Sequence, residues 1–144
     1  METDESILTK CLFFTSNRLS NILRKKAEEA FKDLGIGVPY VYMLVVVNQY
    51  DGITQSELAE KLDIAPSTCT RFVERLVKEG ILRKEFEWKT AHIFLTEEGK
   101  KVCRGIDESL LTLHQSYCQP LGEKRALQLI RDIGAACEKL SGKE

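Results

Sequence analysis

Side chains able to hold a phosphate or read a base edge are concentrated in residues 66–104 of this 144-residue chain, where nine basic groups face six acidic ones. The flanks lean the other way: residues 1–65 carry seven basic and ten acidic groups, and residues 105–144 five and six. Within the centre, Cys69, Phe72, Val73 and Leu76 recur at i, i+3, i+4 and i+7, the spacing of a helix face that turns inward. That leaves Ser67, Thr68, Thr70, Arg71, Glu74, Arg75 and Lys78 facing out. Small hydroxyl side chains let a backbone approach phosphate, and arginine can grip guanine O6 and N7 with two hydrogen bonds. The chemistry implied is contact with double-stranded DNA, with Arg71 and Arg75 as base readers, Ser67, Thr68 and Thr70 beside them, and Lys78 and Lys84 on phosphates.

Other chemistries find little support. Five cysteines (11, 69, 103, 118, 137) form no CxxC pair and leave one over, so reduced thiols are expected rather than a disulfide framework. Cys69, Cys103, Cys118 and Cys137 fall on inward stripes and are expected in the core. His92 and His114 have no second ligand at helical spacing, so no metal and no cofactor is expected. Neither a glycine-rich phosphate loop nor a catalytic Ser/His/Asp motif is present, and the reading is of a protein that is not an enzyme. The longest apolar run, Tyr40 to Val47, is far below the roughly 18 residues of a membrane span, and Met1-Glu2-Thr3-Asp4-Glu5 is acidic where a secretory signal would be basic. No membrane association and a cytoplasmic location are expected.

The elements that must position these residues can be read from periodicity and punctuation. Leu8, Cys11, Leu12, Thr15, Leu19, Ile22 and Leu23 predict one long amphipathic helix from about Glu5 to Leu34, ended by Gly35, Gly37 and Pro39. A buried helix follows from Pro39, although Val45-Val46-Val47 would suit a strand equally. Thr54-Gln55-Ser56-Glu57 is a capping box, in which the threonine hydroxyl takes one orphan amide and the glutamate reaches back to another. It opens a short helix to Leu62. Pro66 then starts the helix that carries the outward polar face, and Gly80 stops it. From Ile81 the period becomes two, which predicts a β-hairpin with Glu87-Trp88-Lys89-Thr90 at its tip. Thr96-Glu97-Glu98 caps a long helix reaching Pro120, and a last helix carries Leu127, Ile130, Ile133, Cys137 and Leu140. These apolar stripes exceed what a small core can absorb, so subunit-subunit packing is expected.

Helix, tight turn, helix and hairpin make a winged helix-turn-helix: a mainly α fold with a small β-hairpin wing. Residues 54–84 and 93–100 resemble the MarR family of transcription regulators. The resemblance is carried by Ser56-Glu57-Leu58-Ala59, by Ser67-Thr68 with Thr70-Arg71, by Gly80-Ile81-Leu82-Arg83 and by Leu95-Thr96-Glu97-Glu98-Gly99. It implies a homodimer built by the N- and C-terminal helices, binding a pseudo-palindromic operator, as a repressor released by a small-molecule effector or by oxidation. On that reading residues 1–38 form an N-terminal dimerisation helix, 39–100 the DNA-binding region and 101–144 the C-terminal dimerisation helices of one compact domain. The wing departs from the family pattern of Asp-x-Arg: Glu87-Trp88-Lys89 stands in register, on a shorter wing. Lys89 becomes the minor-groove or phosphate contact, without arginine's planar fork.

Two further residue groups have competing readings. Cys11-Leu12-Phe13-Phe14 resembles the start of the first helix in the family's organic-peroxide sensors, which makes Cys11 a candidate redox sensor; its place on the apolar stripe equally fits inert packing. Phe13-Phe14 and Tyr40-Val41-Tyr42 are candidates to line an effector pocket or to be core. The rival to DNA regulation is a winged helix used as a protein-interaction module with only residual DNA affinity, which the modest central charge and the missing Asp-x-Arg would support.

Overall fold

The computed structural model describes residues 4–142; Met1, Glu2 and Thr3 of the acidic N-terminus, with Lys143 and Glu144, lie outside the described residues. The first helix is not continuous as expected. A short α1 (Ile7–Lys10) stops at Cys11, whose backbone is extended (φ −93°, ψ 118°), and α2 (Leu12–Ala30) begins there. A 3-10 turn, Lys32–Leu34, then leads to Gly35 at φ 76°. No proline or glycine stands at the break, and Phe13, in the first turn of α2, is 78% exposed.

The helix α3 (Val38–Gln49) takes its N-cap from Gly37 and carries proline in its first turn. Its valine run is helical because the segment lies inside the molecule: α2, α4, α6 and β3 pack around it, burying Val41, Met43, Leu44 and Val47. A segment apolar on all sides, once enclosed by helices, satisfies its backbone internally. The chain then enters β1 (Ile53–Thr54), α4 (Gln55–Leu62), α5 (Pro66–Lys78), β2 (Leu82–Glu87), β3 (Thr90–Leu95), α6 (Glu97–Leu121) and α7 (Glu123–Ser141).

The sheet has three antiparallel strands in the order β1-β3-β2. The hairpin register runs from Leu82 opposite Leu95 to Glu87 opposite Thr90, while Ile53 faces Ile93. The two-residue β1 was absent from the sequence reading, being too short to show a period. One core unites the layers: Phe31, Leu58, Cys69, Val73, Leu76, Leu82, Ile93 and Ile106 are buried together.

Outside that core, large apolar surfaces stay uncovered. Leu111 of α6, with Leu127, Ile130, Ile133 and Leu140 of α7, is exposed, Leu140 to 79%. The cysteines follow suit. Cys69 is buried as expected, Cys103 and Cys118 are half-buried, and Cys137 is exposed, a correction to its expected core position. The reason is that α7 packs chiefly on α6 within the chain, so most of its apolar stripe has nothing above it.

Candidate nucleic-acid interface

The two short helices α4 and α5 meet across Asp63-Ile64-Ala65, with Asp63 in the left-handed region (φ 53°) as the C-cap of α4. At the other end of α4 the Thr54 hydroxyl accepts the Glu57 amide at 3.2 Å. The capping box closes differently from expectation: the Glu57 carboxylate takes the Thr54 hydroxyl itself at 2.7 Å, side chain to side chain. Such a cap fixes the start of α4 and so the platform on which α5 rests.

The inner face of α5 is as the spacing requires, with Cys69, Val73 and Leu76 buried and Phe72 half-buried. Burial pushes the Cys69 thiol up from its ordinary value, with the charge of Lys84 a smaller opposing influence. Phe72 stacks edge-on against Tyr40 of α3, with ring centroids 5.0 Å apart. Outside, Ser67, Arg71, Glu74, Arg75 and Lys78 are exposed. Arg71, Arg75 and Lys78 line one shallow depression with Tyr40 at its edge.

The outward residues are not equivalent. Arg71 extends freely apart from a 3.4 Å contact to the Thr68 hydroxyl one turn back. Arg75 is engaged by Glu79 at 2.6 Å, an i, i+4 pair whose hydrogen bond holds the guanidinium pKa above its ordinary value. Thr70 is half-buried: its hydroxyl donates to the Pro66 carbonyl at 3.0 Å and accepts from Gln55 Nε2 at 2.9 Å. The Cys69 thiol also lies 3.7 Å from the Gln55 carbonyl. Gln55 thus ties α4 to α5, a role the sequence reading missed, because its partners sit 14 and 15 residues away.

The wing presents two unlike faces. Successive strand residues alternate sides, so Lys84 and Phe86 share one face while Arg83, Glu85 and Glu87 share the other. On the second face Arg83 pairs with Glu85 and lies over the Phe94 ring at 4.4 Å, and Glu87 approaches His92 Nε2 at 3.8 Å. On the first face Lys84 is half-buried, its charge felt by Cys69 of α5, and Phe86 is 69% exposed. The two-residue turn Trp88-Lys89 joins the strands; Lys89 is exposed and Trp88 is 96% exposed with φ 59°.

The base of the wing is braced from two sides. Asp51, in the turn after α3, accepts the Leu95 amide through Oδ1 at 3.1 Å. Thr96 caps α6 by accepting the Gly99 amide at 3.0 Å, and its hydroxyl reaches the Gly80 and Ile81 carbonyls at 2.5 and 3.0 Å. Gly99 is buried against that junction, where a Cβ would overlap the Ile81 carbonyl oxygen and stand 3.1 Å from Leu95 Cδ2. Neither the brace from Asp51 nor the close approach at Gly99 was read from sequence.

The remaining candidates lie elsewhere. Cys11 is half-buried at the break between α1 and α2, apart from α5 and the wing. His92 bonds the Gly52 carbonyl through Nδ1 at 2.9 Å, and His114 contacts Tyr117 and Cys118 within α6, so the two imidazoles have separate partners. Among the described residues no three His, Cys, Asp or Glu side chains are grouped to hold a metal ion. None of the described helices is long and apolar enough to cross a membrane.

A groove of about 690 Å³ opens between α2, α3, α6 and α7. Leu19, Leu23, Tyr42, Leu113, Tyr117 and Ile133 line it, with Arg24 at one edge. Burial raises the pKa of Tyr42, with Tyr117 adding to the effect. Of the aromatic residues considered for a pocket, only Tyr42 lines this groove; Tyr40 faces α5, and Phe13 and Phe14 lie outside it.

The fold has counterparts among known proteins. Residues 46–83 match a family model described as winged helix-turn-helix DNA-binding. An uncharacterized HTH-type transcriptional regulator of Bacillus cereus is 27% identical over 129 residues, covering 90% of this chain and 83% of its own. Among solved structures, the PcaV transcriptional regulator of Streptomyces coelicolor, in complex with its natural ligand, superposes with a TM-score of 0.81 at 22% identity, covering 96% of this chain and all of that one. A single-site mutant of MarR from E. coli, complexed with operator DNA, superposes at 0.83 with 19% identity, over 93% and 99% of the two chains.

Proposed function

The chain has the winged helix-turn-helix fold of the MarR-family regulators, and on that premise we propose that it is a homodimeric, sequence-specific DNA-binding transcriptional regulator, acting as a repressor. The observation that carries this reading is the surface of α5. Its apolar side is locked into the core, and its free side carries Ser67, Arg71 and Lys78 beside a wing bearing Lys84 and Lys89. A helix so held can enter a major groove without rearranging, with Arg71 on base edges and Lys78, Lys84 and Lys89 on phosphates. Thr70 holds α5 against α4, with Ser67 and Thr68 left to approach the backbone. Arg75 reads bases only after leaving Glu79, so Arg71 is the stronger reader. Nothing in this surface calls for catalysis, and the reading is of a regulator, not an enzyme.

The uncovered residues Leu111 of α6 and Leu127 and Ile130 of α7, together with Phe13, supply the dimer contact, so residues 1–38 and 101–144 join subunits and residues 39–100 contact DNA. A two-fold dimer would place its recognition helices one helical turn of DNA apart, about 34 Å. The groove between α2, α3, α6 and α7 suits a mainly apolar effector with an anionic group near Arg24. Such a ligand releases DNA only through its differential affinity for the two spacings of the recognition helices. Oxidation at Cys11 is the alternative release, checked by intact mass after stoichiometric peroxide: an unmodified Cys11 at operator release removes it.

The test is selection from a random pool of duplexes by the purified protein. The expected result is enrichment of a pseudo-palindrome with half-sites about 10 base pairs apart, bound with steep salt dependence. Recovery of the unselected pool composition, with affinity indifferent to salt, would overturn it in favour of a protein-interaction module.

A further inference from the structure

Trp88 occupies a position that its own backbone disfavours. It is the first residue of a two-residue hairpin turn and has φ 59°, where glycine, asparagine and aspartate are preferred and a bulky side chain is strained. The indole gains nothing from the chain in return, being 96% exposed. Phe86, two residues earlier, is 69% exposed on the wing face that also carries Lys84. The acidic residues of the wing, Glu85 and Glu87, lie on the opposite face, where Glu85 pairs with Arg83. The wing therefore offers two exposed aromatic rings, Phe86 on the face that Lys84 shares and Trp88 at the tip next to Lys89, with its carboxylates on the face opposite Lys84 and Phe86.

We propose that this aromatic and cationic tip is a minor-groove contact, in which Trp88 enters the groove as an apolar wedge while Lys89 meets a flanking phosphate. It rests on the DNA-binding reading above and goes beyond it by assigning the wing's contact to an indole instead of a guanidinium. Apolar side chains that enter a minor groove work by inserting between base steps and partly unstacking them, and an aromatic ring stacks on the freed bases with little dependence on sequence. Turning both glutamates to the far face, with Glu85 paired to Arg83, reduces the repulsion that a negatively charged wing would otherwise meet. A strained, uncovered ring retained at the tip is the kind of local conflict that a binding role resolves.

The chain contains one tryptophan, so its emission reports on this residue alone. A duplex recovered by the selection above, carrying a fluorescent label, is titrated with full-length protein while label anisotropy and Trp88 emission are followed together. The expected result is a fall and shift to shorter wavelength of the emission, in step with the anisotropy. Trp88→Asn keeps a residue suited to positive φ and removes the ring. It should bind about tenfold more weakly, with an unchanged salt slope because no charge is lost. Lys89→Ala should instead lower the slope by about one phosphate. Normal anisotropy binding with an unchanged emission spectrum, or equal affinity of Trp88→Asn, overturns the wedge and leaves the regulator reading standing. Absence of binding to every duplex, even at low salt, overturns both and assigns the aromatic tip to a protein partner.

Discussion

Gly99→Ala separates local from tertiary control of this fold, because the two predict opposite signs. Taken as a helix residue alone, alanine should stabilise α6 by up to about 1 kcal/mol. The structure demands the reverse. A Cβ at Gly99 would overlap the Ile81 carbonyl oxygen and crowd Leu95 Cδ2 at 3.1 Å. That carbonyl is not free to yield, since it accepts the Thr96 amide at 3.1 Å and faces the Thr96 hydroxyl at 3.0 Å. Moving it weakens two hydrogen bonds of about 1 kcal/mol each, and inserting a methyl group into a packed junction adds about 1–3 kcal/mol. Offset by helix propensity, the net destabilisation should be about 2–4 kcal/mol. Urea denaturation followed by circular dichroism would read it as a lower midpoint at unchanged slope. Because the same junction seats the wing, affinity for DNA should fall as well, at protein concentrations where the variant remains folded. A midpoint equal to or above that of the parent would refute the argument that Gly99 is required by the approach of α6 to Ile81.

Arg71→Ala should relax preference at particular base pairs and cost about 1–3 kcal/mol on the selected duplex, whereas Lys78→Ala should weaken all duplexes alike and reduce the salt slope by about 1; a uniform loss for Arg71→Ala would remove it as a base reader. Thr54→Ala should lower thermal and urea stability by about 1 kcal/mol through loss of the α4 cap, and unchanged stability would show that Glu57 and solvent replace it. Ile130→Glu, on the uncovered stripe of α7, should shift sedimentation from dimer to monomer with the helical spectrum intact, and a persistent dimer would place the interface elsewhere. Cys69 should resist alkylation in the folded protein, since burial both shields the thiol and raises its pKa; mass analysis showing Cys69 labelled as readily as in the unfolded chain would contradict its position under α5.

The local grammar of this fold lies in nearest neighbours along the chain, and it was legible there. Thr54, Pro66, Gly80 and Thr96 mark helix ends by backbone chemistry that needs no tertiary partner, and the apolar spacing of Cys69, Val73 and Leu76 sets which side of α5 turns outward. The change of period after Ile81 likewise announced the wing and a tip within Glu87-Trp88-Lys89-Thr90, which pairing of Glu87 with Thr90 narrows to Trp88-Lys89. Tertiary packing decided what these rules leave open. Enclosure by α2, α4, α6 and β3 made the valine-rich α3 a helix where its composition served a strand as well. Pairing with Ile93 and His92 turned Ile53-Thr54 into a strand that has no period of its own. Thr70 and Arg75 share the outward face of α5 by spacing, yet Gln55 and Glu79 give them different work, since a hydrogen-bond partner 15 residues away, as Gln55 is from Thr70, cannot be read from a repeat of three or four. Cys137 shows the converse: its stripe predicts burial, but the chain alone has nothing to lay over it, because the surface that an apolar stripe seeks need not belong to the same molecule.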